Sequence, residues 1–166
     1  MPIINVLIIF VGTVSGLLAG LLFGFSTAVI PGLRAMPARQ HIAAMQAINV
    51  KIVNPVFLLS FLGPTILLPL AAWLQREGAA FPWLLAAALL HIVGVNGVTI
   101  AGNVPLNDAL DNVDAARMAD DEAERIRQAY HGAGARWMVL HHVRTAASVT
   151  ATALTFAACF VLAVSE

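Results

Sequence analysis

The sequence predicts an all-α integral membrane protein, a four-helix bundle with amphipathic surface helices in its first and third connections. Three observations carry this. Of 166 residues, 60% are apolar and only 11% are charged, against about 45–50% and about 25% in soluble domains. Four stretches, at about 4–30, 55–74, 82–104 and 136–164, are long and apolar enough to cross the roughly 30 Å of hydrocarbon that takes about 20 helical residues. None alternates as a barrel strand does, and backbone amides in lipid must pair internally, so each span is a helix. Residues 1–166 are read as a single transmembrane domain.

The first span follows Met1-Pro2-Ile3-Ile4-Asn5, which lacks the positive segment of a cleavable signal, and is read as retained. Its Gly16, Gly20 and Gly24 repeat every four residues, the small-residue pattern of closely approaching membrane helices. That stripe is a candidate face for packing or homo-oligomerisation. In the first connection Ile42, Met45, Gln46, Ile48 and Asn49 fall at helical spacing after Pro37, predicting a surface helix over 37–53. Asn54-Pro55 breaks the chain before the second span, in which Gly63-Pro64 and Pro69 predict kinks. The third connection, 107–130, holds seven of the nine acids. Asp121 and Glu124 have the spacing of a capping box there, and Gly132-Ala133-Gly134 ends the segment.

Lys and Arg set the orientation. Arg34, Arg39 and Lys51 lie in the first connection and Arg117, Arg125, Arg127 and Arg136 in the third, against Arg76 alone in the second. The expectation is that connections one and three are cytoplasmic and both termini outside. A net charge of zero leaves no basic field for nucleic acid. The lone Cys159 excludes an internal disulfide.

Polar residues inside a membrane are costly and turn inward, so their angular positions point to a site. Asn96, Thr99, Asn103 and Asn107 project onto one narrow face of the third span, and His141, Arg144, Thr145, Ser148, Thr152 and Thr155 onto one sector of the fourth. Arg144 lies about 12 Å into its span by helix rise and needs a partner or a wet cavity. With Asn49, Lys51 and Asn54 entering at the same level, the prediction is a polar pocket under the cytoplasmic surface, capped by the two surface helices.

Four blocks then carry a resemblance: Pro31-Gly32-Leu33-Arg34; Met45-Gln46-Ala47-Ile48-Asn49 with Asn54-Pro55; Asn103-Val104-Pro105-Leu106-Asn107; and Trp137 with His142-Val143-Arg144-Thr145. In this order they resemble the anthrone oxygenase-like family of small four-span membrane proteins, most of them bacterial. Where relatives carry Trp-Asn before His-Val-Arg-Thr, this chain has Leu140-His141. The resemblance implies a bacterial inner-membrane location and an oxidation like that of the fungal members, in which molecular oxygen converts an anthrone to an anthraquinone. An anthrone needs only deprotonation before it passes an electron to oxygen, so this reading requires no cofactor. It takes His141 or His142 as base and Arg144 as anion clamp. The substrate-binding candidates are Arg34, Gln46, Asn49, Asn54, Asn96, Asn103, Asn107, Trp137 and Thr145, and the substrate is apolar, anthrone-type or quinol-like.

Two alternatives stand beside it. A redox subunit would use His91 or His141 as axial ligand to haem; the pair sits roughly 9 Å apart in depth, which counts against bis-histidine ligation. A non-enzymatic module would bind lipid or quinone, although interhelical hydrogen bonds worth about 0.6–2 kcal/mol are a poor reason for so dense a polar cluster.

Overall fold

In a computed structural model describing residues 3–165, six helical segments succeed one another, four of them long and apolar enough to cross a membrane. Helix α1 is Ile3–Arg34, α2 Ala38–Ile52, α3 Pro55–Leu74, α4 Phe81–Asp111, α5 Asp120–His131 and α6 Arg136–Ser165. Helices α1, α3, α4 and α6 form the bundle, with α6 packed on α1 and α4, and α3 on α1 and α4. Apolar side chains such as Ile3, Phe23, Val56, Ile66 and Phe160 stay exposed around it. That is the surface expected when lipid replaces water as solvent.

Helices α2 and α5 close one end. Their apolar faces, the last turns of α1 and α4, and the start of α6 share one core of Ile30, Leu33, Ile42, Met45, Leu110, Met118, Ala123, Tyr130, Trp137 and Met138. His41 of α2 and His131 of α5 meet inside it, Nε2 to Nδ1 at 2.7 Å. Gln46 straps α2 to the end of α4, donating to the carbonyls of Leu110 at 2.9 Å and Val113 at 2.8 Å.

The capping box does not form. Helix α5 starts after Ala119 without a side-chain cap, so Asp121 already lies inside the first turn and faces Arg125 at 3.4 Å. Glu124 accepts from Arg127 at 2.6 Å and Gln128 at 2.8 Å. Gly134, at φ +77°, makes the turn into α6. Asn54 does cap its helix, accepting from the Val56 and Phe57 amides at 3.1 and 3.0 Å.

Two spans are not regular α-helices. Residues Phe25–Val29 of α1 and both Leu90–Gly97 and Thr99–Asn103 of α4 are π-helical. The Ile30 amide reaches back to the Phe25 carbonyl, and the Val104 amide to that of Thr99. Two of these wide turns end two residues before a proline, Pro31 and Pro105. A proline ring clashes with the carbonyl four residues back and brings no N–H, and a widened turn absorbs both defects. Each extra residue also rotates the remainder of the helix by about 100°. The single asparagine stripe projected at 3.6 residues per turn is therefore split. Asn96 turns to α3, donating to the Phe61 carbonyl at 3.2 Å and Thr65 Oγ1 at 2.7 Å. Asn103 and Asn107 turn to α6.

Close approach falls on different glycines from the expected stripe. A methyl group on Gly16 would sit 3.6 Å from Thr152, an ordinary contact, and on Gly20 or Gly24 would meet nothing within 4 Å. On Gly94 it would lie 2.7 Å from the Ala147 Cβ, on Gly102 2.8 Å from Leu140, and on Gly12 3.1 Å from Phe156. Of these interhelical contacts the tightest lies between α4 and α6 at Gly94, where the facing Ala147 Cβ cannot give way.

Gly94→Ala is accordingly expected to destabilise the protein by about 1–3 kcal/mol and Gly20→Ala to be neutral or stabilising, read as thermal midpoints in detergent. The cap also produces a pH effect. Burial holds His41 below the ordinary histidine value of 6.5, and the Arg127 and Arg34 charges add to this. The unfolded chain then binds the proton more readily, so stability present above pH 6.5 is lost as pH falls below it. Melting curves across that range are expected to show the decline in the parent and a weaker one in His41→Gln.

Candidate functional site

A cavity of about 240 Å³ opens between α1, α2, α3 and α4, with α6 at its back. That is just under the roughly 300–1,000 Å³ of small-molecule sites. Leu18, Leu22, Phe57, Phe61 and Val95 make its inner wall apolar. Leu21, Val53, Leu58, Ile100 and Val104 also line it and are exposed on the outer surface of the bundle. Its polar groups, Asn49, Thr99, Asn107, Asp108, Asp111, Trp137 and Arg144, include two carboxylates.

Asn107 anchors the polar side. Its Oδ1 accepts from Trp137 Nε1 at 2.7 Å and from Tyr130 Oη at 2.5 Å. An indole N–H only donates, so the atom facing it must be the oxygen. The Nδ2 has no acceptor among the described residues, and the residue lines the cavity. Asn49 Nδ2 donates to Asp111 Oδ1 at 3.1 Å.

Trp137 is 1% exposed despite its place near the start of α6. Its ring stacks on His141 at 4.9 Å and 17°, and the Arg144 guanidinium lies 5.4 Å from its centroid. The π-helical turn in α1 supplies the other side. Phe25 packs edge-on to His141 at 6.0 Å, and Ser26 Oγ lies 2.9 Å from His141 Nε2. Arg144 approaches His141 Nδ1 through Nε at 3.2 Å and Nη2 at 3.1 Å. Guanidinium nitrogens only donate, so Nδ1 is the acceptor and the ring proton sits on Nε2. That proton goes to Ser26, whose hydroxyl donates in turn to the Leu22 carbonyl at 3.2 Å. Arg144 Nη1 reaches Thr99 Oγ1 at 3.4 Å, and no carboxylate pairs with Arg144 among the described residues. A cation at this depth, held only by neutral acceptors, is poised to receive an anion.

Of the polar residues singled out from sequence, Asn49, Thr99, Asn107, Trp137 and Arg144 share the cavity. His141 stands behind Arg144, fully buried, and orients it; His142, exposed on α6, points away. Asn103 donates to the Trp137 carbonyl at 3.1 Å, and Thr145 bonds back to the His141 carbonyl at 2.7 Å. Gln46, Asn54 and Asn96 are used as the strap, the cap and the tie to α3 already described. Arg34 lies elsewhere, donating to the His131 carbonyl. His91 is fully buried with Nε2 3.0 Å from the Phe61 carbonyl, and lines no part of this cavity. Ser26, Tyr130, Asp108 and Asp111 were not foreseen. Pro31 is the one sequence signal that the helix around Ser26 is irregular.

No curated protein and no solved structure matches the chain. A family model described as anthrone oxygenase matches residues 51–154, more than half of the chain. The matched region runs from the end of α2 through most of α6 and carries Asn107, Asp108, Asp111, Trp137, His141 and Arg144. The chain belongs to the anthrone oxygenase family.

Proposed function

We propose that this protein is an oxygenase of the membrane, oxidising a flat, apolar carbon acid of the anthrone type that it draws from the bilayer. The observation that carries the reading is Arg144, a guanidinium on the wall of an apolar cavity with no carboxylate partner among the described residues. A neutral ketone gains little from such a group. Its enolate gains a full charge pair where water is scarce, and this difference between ground state and transition state is what accelerates deprotonation. The free Asn107 Nδ2 offers a second donor to the same oxygen. Exposed Leu21, Val53, Ile100 and Val104 at the rim suit entry from the bilayer, and the flat Trp137 ring suits a flat substrate.

In this scheme a wall carboxylate takes the first proton. Asp111, which accepts from Asn49, and Asp108 both line the cavity and are the candidates. The electron pair moves onto the oxygen facing Arg144. The enolate passes one electron to dioxygen, and the resulting radical pair couples to form a carbon–oxygen bond. The carboxylate returns its proton to the peroxide, then takes the remaining C–H proton as the O–O bond breaks. That proton leaves with the hydroxide. The sum converts CH₂ and O₂ into C=O and H₂O. His141 is a positioning residue, aiming Arg144 through Nδ1.

The test is oxygen uptake by purified protein given anthrone, with the quinone followed by absorbance. Arg144→Gln is expected to lower kcat/KM by about 10²–10³-fold. Asn107→Asp keeps an acceptor for Trp137 and Tyr130 but replaces the donor with a like charge, and is expected to lose activity as well. His142→Ala should match the parent. Undiminished turnover in folded Arg144→Gln would remove the anion clamp from the account.

A further inference from the structure

A second cavity, of about 220 Å³, lies at the capped end and is lined by Arg34, Arg127, Gln128, His131, Gly132 and Ala133. Two guanidiniums converge on it from different helices. Arg34 closes α1 and is anchored through Nη2 to the His131 carbonyl, with no carboxylate partner among the described residues. Arg127 of α5 donates through Nη1 to the Arg34 and Met36 carbonyls at 3.1 and 3.3 Å, and through Nη2 to Glu124 at 2.6 Å. Glu124 does not line the cavity, and it offsets one of the two charges. His131 is 1% exposed, and its bond to His41 ties both surface helices to the back of the recess. The wall therefore carries a local excess of positive charge in a chain whose net charge is zero.

We infer that this recess is a binding site for a phosphate group. Guanidinium forks match the oxygens of a phosphate bidentately, and a phosphate has oxygens enough for two forks at once. Depth adds to the argument, because Arg34 ends a membrane-spanning helix and so stands at the level of lipid headgroups. The same chemistry is offered by an anionic phospholipid headgroup and by a small soluble phosphate. Occupancy would draw Arg34 of α1 and Arg127 of α5 together and clamp the cap over the bundle. The inference stands independently of the reading of Arg144.

The test titrates the full-length protein, in an uncharged detergent, with dioctanoyl-phosphatidylglycerol, with phosphate-free dioctanoylglycerol and with inorganic phosphate, following the thermal midpoint. A saturable rise with phosphatidylglycerol but not with dioctanoylglycerol is expected. The apparent affinity should fall at least tenfold in Arg34→Gln and in Gln128→Glu; the second variant leaves both arginines in place, adds a negative charge to the wall and gives up the Gln128 bond to Glu124. Saturation by the lipid alone assigns a headgroup, whereas saturation by inorganic phosphate at equal or lower concentration assigns a soluble phosphate. The site is refuted by the absence of a saturable response to either probe, by an equal response to dioctanoylglycerol, or by unchanged affinity in both variants.

Discussion

One carboxamide oxygen holds together the parts from which the site is made. Asn107 sits near the end of α4 and takes hydrogen bonds from Tyr130 of α5 and Trp137 of α6. Each contributes only about 0.5–1.5 kcal/mol net to stability, but their geometric effect is larger than their energy. Trp137 is turned inward, its ring becomes the floor on which His141 stacks, and His141 in turn directs Arg144 along the cavity wall. The same two bonds occupy the oxygen of Asn107 and leave its amide nitrogen without an acceptor among the described residues, on a residue that lines the cavity. A chain of packed planar groups thus carries one anchoring point to the guanidinium.

That guanidinium is the expensive element. Several other polar groups of the bundle bond to neighbouring neutral groups and carry no charge: Thr155 donates to the Ala151 carbonyl, Thr152 to that of Ser148, and Asn96 Nδ2 to Phe61 and Thr65. Arg144 carries a full charge and meets only a ring nitrogen, a hydroxyl and an aromatic face. A membrane protein keeps such a residue where charge is created during its work. In the proposed reaction the apolar rim would admit the neutral form of the substrate, and the polar back wall would favour its ionised form.

The spans were legible because hydropathy over 20 residues averages away local detail, and the surface helices because α2 and α5 carry amphipathic patterns of their own. Asn107, Trp137 and Arg144 were legible as well, being polar or amphipathic residues at depths where lipid tolerates neither idly. What sequence could not yield was the rotation of each face. The π-helical turns of α1 and α4 depend on prolines and on close contact at Gly94 and Gly102, so a constant 3.6-residue projection drifts along the helix and merges Asn96 with the others. Adjacent His141 and His142 illustrate the same limit, since only packing reveals which ring turns inward. Asn54 and Gln46 looked like site residues because a polar side chain reads alike whether its partner is a ligand or a main-chain group. The capping box failed for a related reason: its spacing fits, but the helix begins one residue earlier than Asp121.

The most direct measurement is equilibrium binding of a fused-ring ketone at Trp137. Trp73 and Trp83 are partly exposed on the outer surface, at 60% and 40%, whereas Trp137 is buried against the cavity. In a protein carrying Trp73→Phe and Trp83→Phe, emission therefore reports on Trp137 alone. Anthraquinone titrated into that protein in nanodiscs is predicted to quench the emission to a saturating plateau. Quenching that rises linearly with the amount partitioned into lipid, the same as for free tryptophan octyl ester in empty nanodiscs, would contradict a cavity built to receive such a ring.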